Sequence, residues 1–204
     1  MRRTFLMIVL LTAFATPPAI PAPRSPAEAD SPSSVLDRPA RAWSFDRWIR
    51  SKPLTQEQLR GKLVLLRWFT EECRYCEGTL PELERLQRRY GSDRLQIIGV
   101  FHPKPIRRVR DANILKLADR LGYTGPIAVD ERWSTLSRWW LDGHPERNWT
   151  SVSFLTDRQG IVRWVHPGGE YHPSDDPRHR SCAREYEELV ATIERLLAEP
   201  RAAN

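Results

Sequence analysis

A chain of 204 residues, 40% hydrophobic and 28% charged, is long enough for one ordinary domain with its own core, and no internal repeat divides it. The formal charge of +6 comes from arginines scattered among acids, Arg2 and Arg3 included, so it describes a solvated surface and argues against nucleic acid as a partner. An acidic protein partner stays open.

Residues 1–15 read as an export signal: Arg2 and Arg3, a short apolar stretch from Thr4 to Ala15, then Pro17 and Pro18. At about 12 residues the stretch falls short of the roughly 20 that span a bilayer as a helix. Ala13-Phe14-Ala15 offers a cleavage site and Ala27-Glu28-Ala29 a second. An uncleaved anchor is the alternative, and a membrane is a partner only in that case. Export places the chain in a periplasmic or otherwise extracytoplasmic compartment, where a disulfide persists. Residues 16–35, rich in Pro, Ala and Ser, read as a linker, and residues 36–200 as the folded domain.

Within that domain, Trp43 to Ile49 is expected to hold an opening strand, and Thr55-Gln56-Glu57-Gln58 has the spacing of a capping box that starts a short helix closed by Gly61. Leu63 to Phe69 is a continuous apolar strand broken only by Arg67, the pattern of a strand buried on both faces. A helix is expected from Cys73 to Tyr90 with Gly91 to end it, then a strand from Leu95 to Phe101 and a helix from Ile106 to Leu121. A short strand, Ile127 to Val129, follows, and then a short helix, Ser134 to Leu141. Ser151 to Thr156 and Ile161 to Val165 flank Asp157-Arg158-Gln159-Gly160 as a hairpin. The last helix, Cys182 to Ala198, carries an apolar stripe of Leu189, Ile193, Leu196 and Leu197. Parallel units followed by an antiparallel hairpin predict an α/β three-layer sandwich, a central mixed sheet flanked by helices.

Cys73-Arg74-Tyr75-Cys76 falls at the junction of the first long strand and the first long helix. A helix start leaves amide N–H groups unpaired and carries the positive end of the dipole, so a thiol there loses its proton more easily. Cys76, one turn further in, is placed to attack a mixed disulfide made by Cys73. The same spacing makes half of a zinc knuckle, but no second Cys-X-X-Cys completes one.

Gly61 and Lys62, the strand ending in Trp68 and Phe69, Cys73 and Cys76, then Pro81 and Leu83, together resemble the thioredoxin-like superfamily, in its exported TlpA-like group of redoxins. Ile98-Gly99-Val100, Pro126 to Asp130, Phe154-Leu155-Thr156-Asp157 with Gly160, and Gly169-Glu170-Tyr171 are similar to its DipZ-like branch, so the likeness runs from Leu54 to Tyr171. It implies a thioredoxin-like domain, a thiol-disulfide oxidoreductase activity with Cys73 and Cys76 as catalytic residues, and no cofactor beyond the Cys73–Cys76 disulfide. Its partners would be protein thiols and disulfides and a separate electron donor or acceptor. Trp68, Arg74, Tyr75, Thr150 and Ser151 are the expected substrate-binding residues.

Three departures from the family pattern stand out. Ser151 occupies the place of a cis-proline, and a non-proline cis bond costs about 3 to 4 kcal/mol, so Thr150–Ser151 is expected to be trans. Thr79 stands where TlpA-like members often carry a glutamate that accepts the proton of the second cysteine; Glu77 and Glu71 are the nearby substitutes. Arg74 favours the Cys73 thiolate while Glu72 opposes it.

Connectivity brings the start of the last helix to the active-site end, and with it the third cysteine, Cys182, within a rim of His102, His166, His172 and His179. Cys182 is a candidate third redox thiol, or part of a soft-ligand copper or zinc site drawn from Cys73, Cys76, Cys182, His102, His172 and His179, or simply a small residue in a helix turn. The run His166-Pro167-Gly168-Gly169-Glu170-Tyr171 reads as a tight loop, with partner docking through Tyr171 as the alternative. Trp139 and Trp140 join Trp68 as aromatics that would flank the thiols. Two further functions compete: a thiol peroxidase, for which Thr70-Glu71-Glu72-Cys73 supplies half a motif while Leu66 stands where that motif needs proline, and a non-enzymatic metal-carrying or partner-binding module.

Overall fold

The computed structural model describes residues 34–200; the export signal and nearly all of the linker lie outside the described residues. No described helix is long and apolar enough to cross a membrane.

Six strands form one mixed sheet in the order β1-β4-β3-β2-β5-β6. At its centre, β2 (Leu63–Phe69) and β3 (Leu95–Phe101) run parallel, Leu63 opposite Leu95 and Phe69 opposite Phe101. Every residue of both strands is buried, as their unbroken apolar runs require. Parallel β4 (Ile127–Val129) and antiparallel β1 (Arg47–Ile49) extend one side, and the hairpin of β5 (Ser153–Thr156) and β6 (Val162–His166) extends the other.

Alternation along β2 divides the core. Leu63, Leu65 and Phe69 face α1 (Arg74–Tyr90), α2 (Asp111–Arg120) and α4 (Arg180–Ala198), whereas Val64, Leu66 and Trp68 face an aromatic layer with Trp139, Trp140 and Phe154. The expected three layers are present, although the second outer layer is largely irregular.

Its irregularity has local causes. Within Trp43 to Ile49 the strand contracts to Arg47–Ile49 because the backbone N–H groups of Trp43 and Ser44 are spent on side chains, Gln56 Oε1 and Thr135 Oγ1. The Thr55 box forms, with Gln58 N donating to Thr55 Oγ1 and Thr55 N to Gln58 Oε1, but it closes a series of turns and no helix grows from it. α2 starts at Asp111, five residues late, since Pro103 and Pro105 bring no N–H and Val109 N is taken by Glu131 Oε1. After α3 (Ser134–Leu136) the chain widens into a π-helical turn, Ser137–Leu141, which lets the consecutive indoles of Trp139 and Trp140 both meet Phe154 edge-on. α4 begins two residues before Cys182, after a 3₁₀ turn, Pro177–His179, capped by Asp176.

Gly99 marks the tightest approach in β3. A Cβ there would lie 2.8 Å from Tyr123 Cε1 and 3.2 Å from Phe69 Cε1, and the Tyr123 hydroxyl accepts from Gly99 N at 2.9 Å. Gly99→Ala is therefore expected to lower stability by about 1–3 kcal/mol through overpacking, measured by urea unfolding.

Candidate functional site

Cys73 is the residue that caps α1, and its sulfur is bonded to that of Cys76 across a Cα–Cα distance of 5.3 Å. Cys73 is half-buried while Cys76 is wholly buried, so the first sulfur is the one an incoming group meets. No side chain caps the helix start, which leaves its amides and dipole to act on the Cys73 sulfur. Thr70, Glu71, Tyr75, Lys104, Arg107 and Ser151 surround it in a shallow groove.

The Thr150–Ser151 bond is trans, and the Ser151 hydroxyl lies 3.4 Å from Cys73 Sγ, offering a donor where a proline ring has none. Two buried groups hold this loop. His102 contacts Phe69 O through Nδ1 at 3.0 Å and Thr150 Oγ1 through Nε2 at 2.8 Å. A carbonyl only accepts, so Nδ1 carries the proton and Nε2 receives the Thr150 hydroxyl. Burial, then Lys104, push the His102 pKa down to about 3, so the imidazole is neutral. The second group is Arg67, fully buried beneath the loop, where it donates to Ser151 O, to Ser153 Oγ at 3.4 Å and to Gly169 O at 2.7 Å. Its guanidinium sits 5.4 Å from the Tyr171 ring centroid; burial lowers its pKa, and no carboxylate among the described residues forms an ion pair with it.

The expected substrate-binding residues separate. Tyr75, Thr150 and Ser151 reach the groove or its wall, and exposed Arg74 lies over the Tyr75 ring. Trp68 does not: it is wholly buried on the sheet face away from α1, with its indole on Asp130, and Trp139 and Trp140 share that face. The indole next to Tyr75 at the groove is instead that of Trp149, 52% exposed, with its ring centroid 5.6 Å from that of Tyr75. Its loop position gave no periodic signal, although Gly168, whose Cβ would come within 2.6 Å of Trp149 Cβ, was a cue to close packing.

Tyr171 is wholly buried and serves the interior, its hydroxyl 2.9 Å from Ser153 Oγ, so it offers no docking surface. Thr79 accepts from Tyr171 N at 3.1 Å and donates to Tyr75 O at 3.1 Å. Neither substitute carboxylate takes its place, because Glu77 is exposed and Glu71 is bound by Arg107 at 2.7 Å. The six-residue metal set divides: Cys73 and Cys76 bond each other and His102 has both nitrogens engaged, while His172, His179 and Cys182 gather separately around Glu170. Cys182 is a free cysteine whose thiol pKa burial and then Glu170 push up, the reverse of what activates a redox nucleophile.

His166 lies 3.1 Å from Glu185 Oε2, yet burial and then Arg67 push its pKa down to about 3, so that contact joins a neutral imidazole to a carboxylate. For both His102 and His166 the folded value lies below the reference 6.5, so the unfolded chain binds more protons between pH 3 and 6.5. Their contribution is complete above pH 6.5 and is lost as pH falls toward 3. Urea midpoints are expected to decline across that window, and His102→Gln to flatten the decline.

Over 126 residues the chain is 30% identical to Protein DipZ of Mycobacterium tuberculosis, 61% of this chain but only 17% of that protein. It is 27% identical to Protein FixW of Rhizobium leguminosarum over 64% of this chain and 59% of the relative. Thiol-disulfide oxidoreductase ResA of Halalkalibacterium halodurans is 24% identical, with 59% and 62% covered. Among solved structures, a thiol-disulfide isomerase from Corynebacterium glutamicum superposes with a TM-score of 0.58 at 24% identity, covering 79% of this chain and 98% of that one. A thioredoxin-like superfamily protein gives a TM-score of 0.61 at 19% identity over 80% and 99% of the two chains, which establishes the fold as thioredoxin-like. A family model described as the AhpC/TSA family matches residues 40–165, and the chain therefore belongs to that family.

Proposed function

We propose that this chain is an extracytoplasmic thiol-disulfide oxidoreductase that exchanges disulfides with protein substrates through Cys73 and Cys76. The observation that carries the reading is a half-buried cysteine at an uncapped helix start, bonded to a wholly buried partner one turn inside. The relatives named as thiol-disulfide oxidoreductases support it, as does the export-type N-terminal sequence for the compartment.

In the reducing direction, the Cys73 thiolate attacks one sulfur of a substrate disulfide, forming a mixed disulfide and releasing the other substrate sulfur as a thiolate. The Cys76 thiolate then attacks Cys73 Sγ, closing the Cys73–Cys76 bond and freeing the second substrate thiolate. Two electrons pass from the pair to the substrate, and a separate donor of electrons restores the dithiol; oxidation runs through the same steps reversed. The helix dipole, the buried charge of Arg67 and the Ser151 hydroxyl all favour the Cys73 thiolate. Tyr75 and Trp149 give an apolar ledge beside it for a partner's side chains.

A second reading, thiol peroxidase, keeps one observation in its favour: Thr70 lines the same groove with a buried hydroxyl that has no partner among the described residues. Peroxide consumption by wild type that is lost in Cys73→Ser and Thr70→Val would support it over disulfide exchange.

Cys73→Ser is expected to abolish reduction of a protein disulfide such as insulin's, and Cys76→Ser to accumulate mixed disulfides that gel electrophoresis resolves. Failure of the wild-type dithiol to reduce any protein disulfide would sink the proposal. Ser151→Ala is expected to raise the Cys73 pKa by roughly half to one pH unit, through loss of one hydrogen bond to the thiolate, as followed by thiolate absorbance.

A further inference from the structure

We propose that Glu170, His172, His179 and Cys182 form a binding site for one divalent transition-metal ion, and that zinc(II) is the ion their donor set and spacing fit. One sulfur, two imidazole nitrogens and one carboxylate oxygen all lie within 4.8 Å of one another. His179 Nδ1 is 3.5 Å from Glu170 Oε1, His172 Nε2 is 3.8 Å from Glu170 Oε2, and Cys182 Sγ is 3.9 Å from Glu170 Oε1. Tetrahedral zinc with bonds of about 2.0–2.3 Å sets its ligand atoms about 3.3–3.8 Å apart, so these three pairs close by a few tenths of an ångström and the most widely separated donors, within 4.8 Å, by up to about 1 Å.

The donors are oriented as ligands. His172 Nδ1 lies 3.0 Å from Pro173 O, which only accepts, so the proton sits on Nδ1 and the lone pair of Nε2 faces the cluster. His179 Nδ1 is buried with no hydrogen-bond partner among the described residues, and Glu170 Oε1 stands from it at ion-pair distance. A cation between them satisfies both. His172 N donates to Cys182 O at 3.3 Å, which fixes the two arms of the site to each other. On the opposite side stands bare backbone: a Cβ at Gly78 would lie 2.8 Å from His172 Cδ2 and 3.1 Å from Glu170 Oε2.

The site therefore joins the loop after β6, the 3₁₀ turn and the first turn of α4, and seats them against α1 two residues beyond Cys76. It uses neither sulfur of the Cys73–Cys76 bond, so it is independent of the redox reading. Cys182 binds as the thiolate, its proton leaving to solvent.

The test uses the full chain with Cys73 and Cys76 kept oxidised, titrated with zinc against a chromophoric chelator and with cobalt(II) as a spectroscopic probe. One ion per chain is expected, with a thiolate-to-cobalt charge-transfer band and tetrahedral ligand-field bands. Cys182→Ser should remove the charge-transfer band, and His172→Ala, His179→Ala and Glu170→Gln should each weaken zinc binding by about 10-fold or more. No retained ion at micromolar zinc, or zinc affinity unchanged in Cys182→Ser, overturns the site. Should a variant fail to fold by circular dichroism, alkylation of Cys182 in the wild type decides: zinc should slow it at least 10-fold, and equal rates with and without zinc overturn the site.

Discussion

The guanidinium of Arg67 is the constraint on which the thiol end of the molecule depends. A charge wholly removed from water is costly unless its N–H groups find acceptors, and here the two Nη groups find the carbonyls of Ser151 and Gly169, with the Tyr171 ring alongside, while Nε has no partner among the described residues. One side chain from the central strand thus sets the position of the loop that touches Cys73 and of the glycine turn that packs against Trp149. Removing it would leave buried carbonyls without donors as well as shifting the field around the sulfur.

Around that cation the other polar groups are arranged without a second buried charge of the same sign. His102 and His166 are both held neutral, and Arg67 contributes to holding them so. Neutral His102 has one donor and one acceptor, and it uses both to bridge β2 and the Thr150 loop. The result is a site in which positive potential comes from Arg67 and the start of α1, while the imidazole acts as a spacer of fixed hydrogen-bond polarity.

Much of the sheet was legible because its strands are unbroken apolar runs with turn residues between them, and Cys73 could be placed because such a run met an amphipathic pattern. Arg67 was visible only as an interruption, since its acceptors lie 84 and 102 residues further along the chain. Trp68 illustrates a different limit. Alternation puts it on the face opposite Phe69, but nothing local says which face α1 will cover. The histidine rim followed from connectivity, yet its division into His102, engaged with β2, and His172 and His179, gathered around Glu170, needed side-chain positions. Short elements failed where side chains captured backbone donors, as at Ser44 and Val109.

Thr79 carries one last consequence. Its hydroxyl is committed to the backbone on both sides, at Tyr75 and Tyr171, and it cannot ionise at any physiological acidity. The position three residues past Cys76 thus supplies no proton acceptor, and Cys76 itself is wholly buried. A proton moving on or off Cys76 would therefore have to be exchanged with water that reaches the first turn of α1, rather than handed to a neighbouring side chain at that position.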